Sequence, residues 1–107
     1  MILAKFYSSK SELVGFSVSG HSGYADSGSD IVCASVSSCA YMVANTVTEI
    51  FRLKAEIEVD DGFLELRVSE ADAEKVKELF RGFELHLKAL EQDYGKYLKV
   101  EYETIHK

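Results

Sequence analysis

Residues 20 to 45 read GHSGYADSGSDIVCASVSSCAYMVAN, from Gly20 to Asn45, and this stretch decides both the fold and the chemistry that we expect. It begins with an eleven-residue loop, Gly20 to Asp30, which holds three glycines, three serines and one histidine. Apolar residues at helical spacing follow the loop and continue to about Phe51. We therefore predict a long helix that begins directly after Asp30 and has Cys33 as its third residue.

The apolar face of this helix is predicted to comprise Ile31, Val32, Val36, Val43, Val47 and Ile50. Asp30 or Ser29 is a good N-cap, because its side chain can accept hydrogen bonds from the unpaired N–H groups of the first turn. The same N-terminus carries roughly half a positive charge, which favours the thiolate form of a cysteine in that turn. The helix is thus expected to anchor in the core and to activate Cys33.

A histidine, His21, stands twelve positions before Cys33 in the loop. Within reach of the thiol it would act as general base and then as general acid, while backbone N–H groups of the first turn hold a developing oxyanion. The residues also fit a second interpretation, in which Cys33 is a small buried apolar residue and His21 an ordinary loop histidine. From the residues alone, both interpretations stay open.

The loop glycines also suggest anion binding, since glycines before a helix N-terminus can cradle phosphate or clamp an RNA backbone. The spacing Gly20-x-x-Gly23-x4-Gly28 matches neither the dinucleotide fingerprint nor the P-loop, however. No lysine or arginine lies between Lys10 and Arg52, and the formal net charge of the chain is −6. We therefore expect no direct nucleic-acid binding.

The flanking sequence predicts five strands, because apolar and polar residues alternate over 2–7, 13–19, 54–59, 64–68 and 98–103. Asp60-Asp61-Gly62 is a strong hairpin signal. A second helix is predicted from a Ser69 cap to a stop at Gly95. The order is ββαββαβ, and one apolar face per strand places both helices on one side of the sheet. We predict one domain over residues 1–107, an α+β two-layer sandwich with a mostly antiparallel or mixed sheet.

The first helix is uncharged from Ile31 to Thr48, although a two-layer fold hides only one of its sides. Six of these eighteen residues are Ser, Thr or Asn, which makes the run too polar for a membrane span. We therefore expect no membrane association and a homodimer in which a second subunit covers the other side.

Two cysteines, Cys33 and Cys39, are too few for a disulfide framework. Six positions apart on one helix, they point about 240° apart and should not bridge. The chain has no Cys-x-x-Cys pair or histidine-rich cluster, so neither a metal nor another cofactor is expected. These features indicate a reducing, cytoplasmic location.

The stretch from Gly20 to Asn45 resembles the ribosomal-processing cysteine protease family Prp. The family's pattern has a Gly-His pair, a glycine-containing loop, then Asp-Ile-Val-Cys-Ala with a serine four residues after the cysteine. The residues of this chain that match it are Gly20, His21, Asp30, Ile31, Val32, Cys33, Ala34, Ser37 and Asn45.

The resemblance implies a homodimeric cytoplasmic endopeptidase that removes a short N-terminal extension from the large-subunit ribosomal protein L-twenty-seven, cutting after a pair of phenylalanines. It implies a catalytic dyad of His21 and Cys33, supported by Asp30 and Ser37. Asp30 serves equally well as a simple cap, and the Ser37 hydroxyl could bond back to the Cys33 carbonyl. Tyr24, in the same loop, is a candidate contact for an aromatic substrate side chain. The alternative function is a non-catalytic dimeric module that binds a ribosomal protein peptide.

Overall fold

The computed structural model describes residues 1–20 and 27–105. Strands and helices within these residues follow the predicted order, with the second helix divided in two. Their bounds are β1 (Ile2–Ser9), β2 (Glu12–Ser19), α1 (Ser27–Asn45), β3 (Glu56–Asp60), β4 (Phe63–Arg67), α2 (Glu70–Ala73), α3 (Lys77–Tyr94) and β5 (Leu98–Thr104). A π-helical turn, Thr46–Ile50, extends α1, and a 3₁₀ turn, Glu74–Val76, joins α2 to α3.

The sheet has the strand order β3-β4-β2-β1-β5. Neighbouring strands are antiparallel except for β1 and β5, which run parallel from the pair Ile2–Leu98 to the pair Ser8–Thr104. The expected hairpins β1–β2 and β3–β4 are both present. The prediction of an α+β fold with a mixed sheet is therefore confirmed.

Aromatic rings join the sheet to α3 at the centre of the core. The Phe16 ring packs edge-on against Phe83, with centroids 4.9 Å apart, and against Phe80, at 6.1 Å. Edge-to-face contacts of this kind add to the free energy gained from burying the rings. Leu66 from β4 and Leu87 from α3 are fully buried in the same core.

The helix-free face of the sheet carries a small polar network around Tyr7. Its hydroxyl donates to Glu65 at 2.8 Å and lies 3.1 Å from the Ser17 hydroxyl. The Arg67 guanidinium stacks 4.3 Å from the centroid of the Tyr7 ring and lies 3.7 Å from the Glu65 carboxylate. The network satisfies the polar atoms of a tyrosine that is almost fully buried on a face without helices.

The predicted start of the first helix is wrong. α1 begins at Ser27, so Ser29 and Asp30 have helical backbone and neither is the N-cap. Each residue added to an existing helix gains a backbone hydrogen bond, which outweighs the preference of serine and aspartate for a cap position. The second helix is likewise not continuous. Ser69 does cap it, accepting from the Asp72 N–H at 3.1 Å, but the backbone leaves the helical region at Val76, where φ is −118°.

The apolar face predicted for the first helix is correct at four of its six positions. The valines at 32, 36, 43 and 47 are buried, whereas Ile31 is 59 % exposed and Ile50 is 75 % exposed. The valines recur at helical spacing along one stripe, and Ile31 lies beside it. Ile50 closes the π-helical turn, whose wider winding places it on the other side.

The apolar face predicted for the third strand is uncovered. Ile57 and Val59 stand directly opposite Leu66 and Leu64 on the side of the sheet that carries the helices. They are nevertheless 45 % and 54 % exposed, because β3 is an edge strand that α1 and α3 do not cover. Alternation along a strand fixes which side chains share a face, but not whether another element covers that face.

The segment Ile31–Ile50 is long and apolar enough to cross a membrane by length and composition alone, with a mean hydropathy of 1.4. Core helices satisfy the same criterion, and Val36 and Val43 of this segment are buried in the core. The exposed residues of the segment include the large side chains of Ile31, Tyr41, Met42 and Ile50.

Two leucines on α3 provide a matched test of the core. Leu87 is fully buried and Leu85 is 71 % exposed. We expect Leu87→Ala to lower the free energy of unfolding by about 2–5 kcal/mol, through lost burial and the cavity left behind. Leu85→Ala should change it by less than about 0.5 kcal/mol. Urea unfolding followed by circular dichroism measures both, and equal effects would contradict the described packing of α3.

Candidate active site

A cleft of about 230 Å³ lies at one end of the sheet, between α1 and the turn that joins β3 to β4. One wall is a single face of α1, whose residues follow helical spacing. The other wall comes from the end of β2 and from the β3–β4 turn. The described residues that line the cleft are Val18, Gly20, Cys33, Ser37, Ala40, Tyr41, Asp60, Asp61, Gly62, Phe63 and Leu64.

Cys33 stands in the helical wall and is half-buried. It is the seventh residue of α1, not the third, because the helix begins at Ser27. The field of a helix N-terminus falls off within the first turn, so Cys33 lies beyond the part of α1 that the sequence predicted it to occupy. The first-turn N–H groups proposed for the oxyanion lie a turn away from Cys33 for the same reason. Ser37 lies one turn further along on the same helix face and lines the same cleft.

Gly20 is fixed where β2 ends and the loop begins. Its N–H donates to the Gly62 carbonyl at 2.9 Å, which ties the end of β2 to the β3–β4 turn. Its φ is +93°, and a side chain there would clash with the Met1 carbonyl oxygen. Only glycine satisfies both conditions without strain. The residue directly before His21 is therefore held in one place beside the cleft.

Three predicted site residues are not placed by the structure. His21 and Tyr24 lie outside the described residues, and so does the side chain of Asp30, whose backbone belongs to α1. The meeting of His21 with Cys33 stays a prediction. The structure does bring together Gly20, Cys33 and Ser37, which line one cleft.

The second cysteine belongs to a different surface. Cys39 lines a groove between α1 and α3, together with Phe83 and His86, and it is absent from the described lining of the Cys33 cleft. Partial burial raises the pKa of the Cys39 thiol, which lowers its thiolate fraction at neutral pH. Cys39 is therefore the less reactive candidate on physical grounds.

Sequence reasoning missed the opposite wall of the cleft. Asp60, Asp61 and Gly62 were interpreted only as a hairpin turn, which they do form, with φ of +69° at Gly62. Their place beside Cys33 depends on β4 pairing with β2, and no local pattern predicts that pairing. Within the described ranges, no three His, Cys, Asp or Glu side chains are grouped to hold a metal ion.

The chain also matches a known protein family. The family described as cysteine protease Prp matches residues 1–99 of the chain. The chain belongs to this family. Its members are cysteine proteases of ribosomal processing, so the chain is an enzyme of the thiol hydrolase class, as the resemblance of residues 20–45 implied.

One relative and two solved structures are similar to the chain over most of its length. The ribosomal processing cysteine protease Prp of Bacillus subtilis (strain 168) is 30 % identical over 94 residues, which cover 82 % of this chain and 84 % of that protein. The crystal structure of SMU.848 from Streptococcus mutans is 28 % identical, with a TM-score of 0.85 over 98 % of this chain and 96 % of that one. The essential protease Prp from S. aureus, in complex with a substrate peptide, shares the fold at 19 % identity, with a TM-score of 0.86 over 96 % and 100 % of the two chains.

Two glycines provide a matched test of the fixed point beside the cleft. Gly20→Ala should lower the free energy of unfolding by about 1–3 kcal/mol, because a positive φ and a backbone clash strain the new side chain. At Gly82, in the middle of α3, an added Cβ meets nothing within 4 Å. Gly82→Ala should therefore stabilise the protein by about 0.5–1 kcal/mol. Chemical unfolding measures the free energy of unfolding of both variants. A Gly20→Ala variant as stable as the wild type would contradict the described backbone conformation at Gly20.

Proposed function

We propose that the chain is an endopeptidase in which Cys33 is the nucleophile and His21 the general base. The observation that carries the proposal is the cleft itself, with the Cys33 thiol in its helical wall and Gly20, the neighbour of His21, at its edge. Membership of a cysteine protease family supports the same assignment. Ser37 and Asp30 are proposed as supporting residues, and Tyr24 as a substrate contact.

The proposed reaction has two steps. His21 takes the proton of the Cys33 thiol, whose sulfur attacks the scissile carbonyl carbon, and a tetrahedral intermediate forms. The intermediate collapses with cleavage of the C–N bond, while His21 returns the proton to the leaving amine. Water then attacks the thioester with His21 again as base, which releases the carboxylic acid product and restores the thiol.

We propose that the substrate is the N-terminal extension of the large-subunit ribosomal protein L-twenty-seven. The support comes from relatives: the B. subtilis protein is a ribosomal processing protease, and the S. aureus enzyme was crystallised with a substrate peptide. The net charge of −6 favours encounter with the basic tail of a ribosomal protein. The same negative charge disfavours direct nucleic-acid binding. The two free cysteines suit a cytoplasmic location.

A cleavage assay on the host's own L-twenty-seven tests the dyad. We expect the wild type to release one defined N-terminal peptide, read by mass spectrometry. Cys33→Ala should lower kcat by about 10⁴-fold or more, because the nucleophile is lost. His21→Ala should lower it by about 10²- to 10⁴-fold, because proton transfer is lost.

The matched control is Cys39→Ala, since Cys39 stands on the same helix but lines a different groove. The Cys39→Ala variant should retain at least about half of the wild-type activity, because the Cys39 thiol lies outside the cleft and takes no part in the proposed reaction. No product from the wild type, with the peptide still bound, would refute the protease and favour the alternative of a non-catalytic binding module. If Cys39→Ala were as inactive as Cys33→Ala, the assignment of Cys33 as the nucleophile would lose its support.

We further propose that the enzyme is a homodimer whose interface includes the exposed side of α1. Met42, at 53 % exposure, belongs to that side. Light scattering at micromolar concentration should return a dimer mass, and Met42→Lys should weaken dimerisation by about tenfold or more, because a buried charge is costly. Leu85→Lys, on the exposed side of α3, is the control and should leave the mass unchanged. A monomer mass for the wild type would refute the dimer.

A further inference from the structure

β3 is a free edge of the sheet. Within the described residues it pairs only with β4, and all five of its residues are exposed. The backbone N–H and C=O groups on its outer side therefore have no strand partner. An edge of this kind is a template on which another extended chain can pair.

The two faces of β3 differ in chemistry. Ile57 and Val59 are on the helix side, where they form an apolar strip that neither helix covers. Glu56, Glu58 and Asp60 alternate with them on the other side. A chain added to this edge would meet apolar side chains on one face and carboxylates on the other.

The carboxylates of β3 are not neutralised by the protein. Glu58 stands directly opposite Glu65, and like charges at that position destabilise a sheet. Arg67 stands opposite Glu56 but is held by Glu65 and the Tyr7 ring. In the described part of the chain, no lysine or arginine forms an ion pair with an acidic residue of β3. The strand thus keeps negative charge that costs folding stability.

The edge leads into the active site. Asp60 is the last residue of β3, and it lines the same cleft as Cys33. A peptide extended along β3 would therefore run directly to or from the thiol. Continuity with the cleft favours the substrate chain as the occupant of the edge.

We infer that β3 binds the substrate as a sixth strand, and that the bound segment alternates apolar and basic residues. This inference rests on the proposed protease function and adds a recognition surface outside the cleft. Main-chain pairing would supply affinity, while Ile57, Glu58 and Val59 would select the side chains. A second copy of the enzyme does not fit the edge, because pairing of β3 with β3 would bring acidic residues against one another.

The test uses synthetic peptides that share one cut site. A short peptide ends close to the cut on both sides. Long peptides extend it, at one end or the other, by a stretch in which lysine alternates with valine, and matched versions carry glutamate in place of lysine. At low salt we expect one lysine peptide to have a kcat/KM about tenfold or more above the short peptide, through several strand-pair contacts. The glutamate version should lose that gain.

The decisive variant is Glu58→Lys, which should fold well because it replaces a like-charge pair with Glu65 by an opposite-charge pair. It should lower kcat/KM for the lysine peptide roughly two- to fivefold, raise it for the glutamate peptide, and leave the short peptide unchanged. The matched control is Asp93→Lys in the last turn of α3, the same change of charge and also favourable to folding. It should not reverse the preference.

The outcomes separate the inference from the function on which it rests. Cleavage of all peptides at equal rates would overturn the sixth strand and leave the protease standing. Equal effects of Glu58→Lys and Asp93→Lys would also overturn it, because net charge alone would then explain the preference. If the wild type cleaved neither these peptides nor the ribosomal protein, the proposed function and the inference would fall together.

Discussion

The hydrogen bond from the Gly20 N–H to the Gly62 carbonyl is the constraint on which the active site depends. It joins the last residue before His21 to the turn that forms the far wall of the cleft. Because Gly20 has a positive φ and packs closely against the Met1 carbonyl, a side chain at this position would be strained. Gly20 thus connects the end of β2 to the β3–β4 hairpin through this hydrogen bond, and to the start of the chain through its close packing against Met1.

Local patterns in the sequence were sufficient for the order of elements, and the reason is physical. Alternation marks strands, helical spacing marks helices, and Ser69 and the Asp61–Gly62 turn are set by hydrogen bonds and φ angles within a few residues. The pairing of β4 with β2 and the parallel pairing of β1 with β5 depend on residues far apart in the chain, and no local pattern predicts them. The exposure of Ile57 and Val59 follows from that order and could not be predicted either.

The candidate site likewise has a part that local sequence patterns predict and a part that they do not. Cys33 and Ser37 share a helix face by spacing alone, so the helical wall of the cleft was predictable. Asp60, Asp61 and Gly62 were not, because they reach the cleft only through the strand order. The error over the start of α1 changes the chemistry that must be invoked. With Cys33 in the second turn, the proposed chemistry depends on His21 as general base rather than on the N-terminus of the helix.

The parallel pairing of β1 with β5 has a consequence for how the protein is made. These strands come from the two ends of the described chain, and Leu98 of β5 is fully buried beside Ile2 of β1. Contacts between residues so distant in sequence form late, because closing a long loop costs entropy before the contact rewards it. During translation β1 cannot gain this neighbour until β5 has left the ribosome. A protease of ribosomal processing therefore completes its own sheet only after β5 has been synthesised.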